Sequence, residues 1–400
     1  MNSVEITRRF ETTAANTFRV SPNPPLFVRG EGALLYTSTD VAYTDLVGGS
    51  ATSLLGHGHP AHHKAIISAL ESGILHTGTR LPSPHRAALY SKLSEVLPEH
   101  LTRVHFANSG SEAIEVALKV AIHKTGRRRV ISFEGGYHGR TLGSLAVTHS
   151  EALRQPFEPW DRPWVDFAPY AFTDSQTDAA LNTLERLLTA EPVAAVVVEA
   201  LQGVAGVRGL CHRFLKGVEQ LARKSGAILI ADEIWTGFGR SGSWFSFEQV
   251  ELTPDLVTLG KGLSSSLPIS AVAGREEILT SWSPGSHTST FQGNPIAAAA
   301  AYATISEIQK NALVARARDI LAPLMTSALE GLPIRVSGAQ VAINMGSQSA
   351  SLKFQRRALE NQILVYGGGL NGEYAMLLPP LIISEDLLLN SLSKLRALML

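Results

Sequence analysis

Charged side chains follow two apolar runs of this sequence, at positions where a buried strand would end. Asp232 and Glu233 come directly after the apolar run 228–231. A carboxylate buried there needs a partner, which a protonated heterocyclic nitrogen or a structural arginine would supply. Lys261 lies between two glycines after the strand-like run 255–259. Burial would lower its pKa and make it nucleophilic, although a surface turn has the same local pattern.

A pattern suited to anion binding lies closer to the N-terminus. Ser109, Gly110 and Ser111 open an amphipathic helix predicted over residues 111–124, directly after a short strand-like run. The free backbone N–H groups of a helix N-terminus, together with two serine hydroxyls, suit a phosphate group. An ordinary helix cap has the same composition. The pattern differs from the glycine motifs of dinucleotide sites and P-loops, so neither is indicated.

Two further loops carry polar or aromatic side chains. Tyr137 and His138 lie in the run 133–141, whose three glycines allow close backbone approach at the end of a strand. Tyr137 would either stack on a flat ring or pack in a tight turn. Ser289 and Thr290 offer hydroxyls on a loop before a helix. Together, a phosphate cradle, a stacking aromatic, an acid for a ring nitrogen and a flanked lysine are the components of a pyridoxal phosphate site.

The elements that must position these residues alternate between apolar strands and amphipathic helices. This alternation indicates an α/β fold with a mainly parallel central sheet and with function at the strand ends. After residue 294 the pattern changes to that of a smaller α+β domain. We predict a large α/β domain at residues 49–293 and a small domain built from residues 1–48 and 294–400. The central strands are predicted at 104–107, 129–133, 194–199, 227–232, 255–259 and 270–273.

Composition argues against several classes of protein. The 35 Lys and Arg residues balance 35 Asp and Glu residues, and zero net charge argues against binding to nucleic acid or an anionic membrane. The sequence has no run of 18 apolar residues that would predict a membrane span. Residues 1–10 lack the apolar core of a secretory signal, and Cys211 is the single cysteine. We therefore expect a cytoplasmic protein in a reducing compartment.

An ordered series of motifs extends over nearly the whole chain and resembles the class III (ω-type) aminotransferases, which are pyridoxal phosphate enzymes of fold type I. The resemblance implies an enzyme that moves an amino group between an amine or amino acid and a carbonyl acceptor. The motifs are Gly56-His-Gly-His-Pro, Ser109-Gly-Ser-Glu-Ala, Tyr137-His-Gly-Arg-Thr, Asp232-Glu-Ile-Trp-Thr-Gly-Phe-Gly-Arg, Leu259-Gly-Lys-Gly-Leu and Ser289-Thr-Phe-Gln-Gly-Asn-Pro.

The resemblance also implies a role for each candidate residue. Lys261 would form the internal aldimine with pyridoxal phosphate and shuttle a proton, and Asp232 would keep the pyridine nitrogen protonated. Thr290 would reach the phosphate of a neighbouring subunit, which implies a homodimer. The histidines between His57 and His63 belong to a structural turn of the family, so no metal is expected. The other implied contacts are Gly110 and Ser111 with the phosphate, Tyr137 and Ile234 on the two faces of the ring, and Ser109, His138, Glu199, Trp235 and Ser289 around the cofactor.

Two positions depart from the family pattern. Trp235 stands where the family usually has a glutamine that donates to the 3′-oxygen of the cofactor, and it offers one indole N–H. Met376 stands where a common family pattern has an arginine that binds the α-carboxylate of glutamate or 2-oxoglutarate. Losing that pair costs about 1.5–3 kcal/mol, or roughly 10–100-fold in binding. We therefore expect an atypical substrate, such as a less polar amine, a carrier-bound compound or a biosynthetic intermediate.

A racemase or epimerase of the same family is the alternative function, because it needs only removal and return of the proton on the substrate carbon. A non-catalytic scaffold of the same fold is a third interpretation. The presence of both Lys261 and Asp232 argues against the scaffold.

Overall fold

Residues 2–12, 18–157 and 164–399 are described by the structure, which is a computed structural model. Short 3₁₀ turns lie at Gln155–Phe157, Ser246–Val250 and Lys261–Leu263, and a π turn lies at Ala317–Leu321. The helices are α1 (Ser3–Phe10), α2 (Gly48–Ala51), α3 (Pro60–Glu71), α4 (Pro84–Ser94), α5 (Gly110–Thr125), α6 (Leu142–Ala146), α7 (Glu151–Arg154), α8 (Asp174–Ala190), α9 (His212–Ser225), α10 (Glu276–Leu279), α11 (Pro295–Lys310), α12 (Leu313–Arg316), α13 (Ala322–Ala328), α14 (Gln348–Glu360) and α15 (Glu385–Ala397).

The strands are short, as is usual in an α/β protein. They are β1 (Phe27–Glu31), β2 (Leu34–Thr37), β3 (Ala42–Asp45), β4 (Arg103–Ala107), β5 (Arg129–Phe133), β6 (Val165–Ala168), β7 (Val193–Val198), β8 (Leu201–Gln202), β9 (Arg208–Gly209), β10 (Ile228–Asp232), β11 (Leu256–Leu259), β12 (Ser270–Gly274), β13 (Ile334–Val336), β14 (Val341–Asn344), β15 (Ile363–Leu364), β16 (Tyr366–Gly368) and β17 (Tyr374–Leu377).

Seven strands form the central sheet, in the order β4-β12-β11-β10-β7-β5-β6. The pairs from β11 through β10, β7 and β5 to β6 are parallel, whereas β12 runs antiparallel to both β11 and β4. This mixed, mainly parallel sheet confirms the predicted α/β class. Six of its strands coincide, within one or two residues, with those predicted, and β6 was missed.

The two faces of the central sheet are buried in separate apolar cores. In β7, Ala195 and Val197 belong to one core, while Val196 and Val198 belong to the other. Helix α5 supplies the first core, and helices α8 and α9 supply the second. Burial of both faces explains why these strands are apolar throughout, since a strand alternates its side chains between the faces.

Both chain ends contribute to the smaller sheets. Strand β15 pairs in parallel with β3, which joins residues near position 364 to residues near position 45. A second small sheet has the order β13-β14-β17-β16. The domain boundaries given above stay a prediction. None of the helices described is both long and apolar enough to cross a lipid bilayer.

Candidate active site

A cavity of about 200 Å³ lies where β7, β10 and the N-terminus of α5 meet the Lys261 turn. It brings together ten of the twelve predicted cofactor residues, namely Ser109, Gly110, Ser111, Tyr137, His138, Glu199, Asp232, Ile234, Trp235 and Lys261. Two further lining residues, Gly139 and Val204, were missed by sequence reasoning. The carboxyl ends of parallel strands are the usual ligand edge of such a sheet, so the cavity lies where the fold favours a site.

The other two predicted residues lie outside this lining. Ser289 Oγ accepts a hydrogen bond from Asn108 Nδ2 at 2.7 Å, and Thr290 is exposed. Asn108 directly precedes Ser109, so the loop that carries Thr290 is attached to the edge of the phosphate cradle. The contact of Thr290 with the cofactor of a neighbouring subunit stays a prediction.

Asp232 is the last residue of β10 and is held by hydrogen bonds on both carboxylate oxygens. Its Oδ1 accepts from the backbone N–H of Ile234 at 3.0 Å and from Thr258 Oγ1 at 3.1 Å. Its Oδ2 lies 2.7 Å from His138 Nδ1. Donors to a buried carboxylate favour its charged form, so Asp232 is suited to stabilise a protonated ring nitrogen.

His138 is buried beside this carboxylate. Burial by itself lowers the pKa of His138, but the hydrogen bond and negative charge of Asp232 outweigh it, and the pKa is raised. The second ring nitrogen, Nε2, is buried and has no partner among the described residues. The raised pKa favours the protonated, positively charged form of His138 beside Asp232.

Glu199 lies at the end of β7 and also lines the cavity. Its Oε1 accepts from the backbone N–H of Tyr137 at 2.8 Å, and its Oε2 accepts from that of Gly203 at 3.2 Å. Burial raises the pKa of Glu199 to about 7; Asp232 adds to this increase, and His138 opposes it. A carboxyl with a pKa near neutrality can hold or release a proton at the site.

Lys261 opens the turn after β11 with a backbone φ of +39°, which is rare for a residue with a Cβ. Such strain is typical of functional positions. Burial lowers the pKa of Lys261, while the charges of Asp232 and Glu199 oppose that decrease. A lysine with a lowered pKa provides the neutral amine that attacks a carbonyl carbon. His138, Glu199, Asp232 and Lys261 together form the polar floor of the cavity.

The N-terminus of α5 has the features of a phosphate cradle. Ser109 Oγ caps the helix by accepting from the backbone N–H of Glu112 at 3.2 Å. Ser111 Oγ accepts from the backbone N–H of Arg140 at 3.1 Å. A Cβ built on Gly110 would lie 2.9 Å from Ile234 Cγ2, so glycine lets the helix end approach Ile234 closely. The remaining first-turn N–H groups of a helix have no intrahelical partner.

These residues fit pyridoxal phosphate. A helix N-terminus for an anion, a buried carboxylate for a ring nitrogen and a buried lysine for a carbonyl carbon all line one cavity. Gly110 and Ser111 would hold the phosphate, Asp232 the ring nitrogen, Tyr137 and Ile234 the ring faces, and Lys261 the aldehyde carbon.

The opposite side of the cavity is apolar. Val204, Trp235, Tyr366 and Met376 belong to one apolar cluster, the inner wall, of which Val204 and Trp235 line the cavity. The indole N–H of Trp235 does not face the cavity residues but donates to Gln340 Oε1 at 3.0 Å. Met376 has no exposed surface and lies in β17 between β14 and β16. No arginine lines the cavity within the described residues.

The histidine-rich turn has structural partners. His57 Nε2 lies 2.8 Å from Asp45 Oδ2, and His62 Nε2 lies 2.9 Å from the backbone carbonyl of Ser264. Within the described ranges, no group of three or more His, Cys, Asp or Glu side chains is arranged to hold a metal ion.

Comparison with known proteins agrees with this geometry. The family model described as aminotransferase class-III matches residues 18–399. The acetylornithine aminotransferase of Archaeoglobus fulgidus is 38% identical over 360 residues, which cover 89% of this chain and 91% of that protein. The acetylornithine aminotransferase of Methanopyrus kandleri is 36% identical over 376 residues, which cover 93% of each chain.

Solved structures confirm the fold. A transaminase from the marine bacterium Virgibacillus matches with a TM-score of 0.89 and 22% identity over 98% of each chain. A thermostable omega transaminase variant, PjTA-R6 W58G, engineered for the synthesis of bulky amines, matches with a TM-score of 0.90 and 22% identity over 99% of this chain and 98% of that one. This chain therefore belongs to the class III aminotransferases and is a pyridoxal phosphate-dependent enzyme.

Proposed function

We propose that this aminotransferase takes its amino group from the terminal carbon of an aliphatic chain whose carboxylate lies at the far end, as in N-acetylornithine. The observation that carries the proposal is that the described lining of the cavity contains no arginine, while Arg140 outside it donates to Oη of the lining residue Tyr137. The names of the curated relatives, acetylornithine aminotransferases, agree with such a substrate. A substrate of this kind is less polar at its reacting end than glutamate.

The inner wall disfavours a carboxylate next to the reacting carbon. Among the residues that line the cavity, Lys261 is the only Lys or Arg. Met376 is fully buried, and its thioether cannot form the paired hydrogen bonds that arginine makes with a carboxylate. An α-carboxylate bound there would be desolvated without compensation, which costs free energy.

Arg140 supplies a cation further out. Its Nε donates to Tyr137 Oη at 3.2 Å, and the residue is exposed. Tyr137 lines the cavity, so this bond holds the Arg140 guanidinium beside it. No carboxylate of the described residues pairs with Arg140, so its guanidinium is available to a carboxylate that enters from solvent.

The chain's own residues then divide the work. Bound pyridoxal phosphate supplies the electron-withdrawing ring that stabilises negative charge at the substrate carbon. Lys261 Nζ would take up the proton from that carbon and return it to the carbon on the other side of the reacting nitrogen, and a carbonyl acceptor would then take the amino group. Asp232, held by Ile234 N–H and Thr258, keeps a positive charge on the ring nitrogen. Arg140 and the inner wall orient the substrate.

The test is a set of half-reactions in which the holoenzyme is mixed with a single amine and the cofactor absorbance is followed. N-acetylornithine, glutamate, alanine and an uncharged primary amine of similar length are compared. We expect N-acetylornithine to react fastest and glutamate at least about 10-fold more slowly, since a missing charged pair costs that much. A faster reaction with glutamate would overturn the proposal.

The epimerase alternative has no support among the relatives named above. It makes a distinct prediction, because an epimerase inverts the substrate carbon over many turnovers without a carbonyl acceptor. Product chirality, measured in the absence of an acceptor, separates the two reactions.

We also propose a homodimer in the cytoplasm. In the loop that carries Thr290, the neighbouring Phe291 is exposed and its ring lies 5.4 Å from that of His76, whose neighbour Leu75 is also exposed. The Asn294 amide donates to the Leu75 carbonyl at 3.2 Å, so this loop and the segment near Leu75 form one surface. A second copy that covers this surface would also bring Thr290 to its cofactor. Light scattering would report the mass, and Phe291→Glu should give a monomer with weakened cofactor binding.

The proposed cytoplasmic location rests on the single cysteine, which is buried and suits a reducing compartment.

A further inference from the structure

A buried hydrogen bond fixes the orientation of Trp235. Trp235 is 6% exposed, and its Nε1–H donates to Gln340 Oε1 at 3.0 Å. Gln340 has no exposed surface, and its backbone is tied into the turn between β13 and β14, where its carbonyl accepts from the Ser337 N–H at 3.1 Å. The backbone hydrogen bond of Gln340 therefore anchors the side chain that accepts the indole N–H.

The chemistry of the pair leaves one donor unpaired. An indole N–H only donates, so the glutamine must present its oxygen to Trp235 and point its amino group elsewhere. That group, Gln340 Nε2, is buried and has no partner among the described residues. An unpaired buried donor is destabilising, and a side chain that keeps one at no structural benefit calls for a functional reason.

The ring that Gln340 holds presents its face to the nucleophile. Lys261 Nζ lies 4.9 Å from the centroid of the Trp235 ring, within the range of a cation–π contact. The Tyr366 ring lies 6.1 Å away on another side, at 52°. A Cβ built on Gly203 would lie 2.1 Å from Trp235 Cδ1, so the glycine leaves just enough room for the indole. These contacts leave the ring little freedom to move while the Gln340 bond is intact.

We propose that Gln340, which does not line the cavity, is a positioning residue that holds the face of Trp235 against Lys261 and thereby closes the inner wall to a substrate α-carboxylate. The charged groups that act on Lys261 are Asp232 and Glu199, and His138 is hydrogen-bonded to Asp232. The Trp235 ring is the neutral group that Lys261 Nζ contacts. The choice of substrates below depends on the proposed function, whereas the positioning of the ring does not.

The test combines Gln340→Leu, Trp235→Phe and the double variant in the holoenzyme. Indole N–H resonances are recorded by ¹⁵N NMR, and the Trp235 signal is identified by its loss in Trp235→Phe. In Gln340→Leu we expect that signal to shift and its hydrogen exchange to quicken at least about 10-fold, because the buried N–H has lost its acceptor. Gln309→Leu, which replaces an exposed glutamine on α11 outside the cavity lining, should leave it unchanged.

Two functional readouts accompany the spectrum. The ratio of the N-acetylornithine rate to the glutamate rate should fall about 3- to 10-fold in Gln340→Leu, mainly through KM. The pH at which the cofactor absorbance titrates should also move, because the contact between the indole face and Lys261 is loosened. Adding Gln340→Leu to Trp235→Phe should change neither readout further, as expected for residues that act through one contact.

Each outcome separates the possibilities. An unchanged Trp235 signal in Gln340→Leu, or equal slowing of all substrates with no change in their ratio and in the titration, overturns the positioning role. If Gln340→Leu does not fold, Trp235→Phe removes the same hydrogen bond and must itself lower the substrate ratio. If the parent enzyme prefers glutamate, the proposed function fails, while the NMR signal and the titration still decide the role of Gln340.

Discussion

The polar floor and the inner wall of the cavity are built on opposite principles. In the polar floor, each carboxylate is hydrogen-bonded, and Asp232 alone accepts from Ile234 N–H, Thr258 and His138. In the inner wall, Val204 and Trp235 offer only apolar surface, and Met376 is buried behind strand pairings. Charged groups buried in a cavity need fixed partners, whereas selection among substrates needs shape and the absence of a charged partner. The floor thus determines the reaction and the wall determines what reacts.

Removal of the floor nucleophile should have the largest effect. In Lys261→Ala, turnover should fall at least about 10³-fold for every amine, because no other lysine or arginine among the described residues lines the cavity. The rates of all four amines and the visible absorbance of the bound cofactor measure the effect. Lys224→Ala, an exposed lysine that donates to Glu185 far from the cavity lining, is the matched control. If only one class of amine reacted more slowly, Lys261 would act in substrate selection and not in the reaction itself.

Removal of the Arg140 cation should give a smaller, selective effect. In Arg140→Leu, KM for N-acetylornithine should rise about 10- to 100-fold, because one charged hydrogen-bonding partner is lost. An uncharged primary amine should react as before. Steady-state kinetics on both amines measure the difference, with Arg186→Leu on the exposed face of α8 as control. An equal change for both amines would place Arg140 outside substrate recognition.

Introducing a cation into the inner wall tests whether the lack of one there disfavours an α-carboxylate. In Trp235→Gln with Met376→Arg, the glutamate rate should rise about 10-fold relative to N-acetylornithine, since the smaller side chain makes room for a guanidinium that pairs with an α-carboxylate. Competition between the two amines measures the ratio. Trp235→Gln alone separates the effect of space from that of charge. An unchanged ratio in a folded double variant would show that the wall does not contact the α-carboxylate.

Titration of Glu233, the residue after Asp232, should have the smallest effect. Burial raises the pKa of Glu233 to about 7, against hydrogen bonds from Ser246 and Thr236 that lower it. The folded protein therefore holds this proton more tightly than the unfolded chain, whose pKa is near 4.5. The stabilising contribution is complete below pH 4.5 and declines as pH rises through 7.

Glu233→Gln keeps the neutral form at all pH values, so it should raise the unfolding temperature at pH 8 by about 2–4 °C and leave it unchanged at pH 4. Calorimetry at the two pH values measures this, with exposed Glu330→Gln as control. Equal shifts at both pH values would assign the effect to packing.

Much of the central sheet could be predicted from sequence because its strands are buried on both faces. Continuous apolar runs such as 193–198 lack the alternation of apolar and polar residues, and this pattern predicts a strand buried on both faces. Strand β6 was missed because it is a four-residue edge strand with a charged residue, Asp166, in its middle. A short edge strand pairs on one side only, so its sequence carries little of the pattern that identifies the others.

The residues of the polar floor could also be predicted from sequence, since they lie at strand ends within short local motifs. The sequence by itself determined that Asp232, Lys261 and the Ser109–Ser111 turn would meet, because the carboxyl ends of neighbouring strands share one edge of a sheet. Only the tertiary structure decided what the inner wall presents. Trp235 and Gln340 are 105 positions apart, and their bond joins the loop after β10 to the turn between β13 and β14. Periodicity encodes which face of an element is buried, but the partner of a buried polar atom is decided by how distant elements pack.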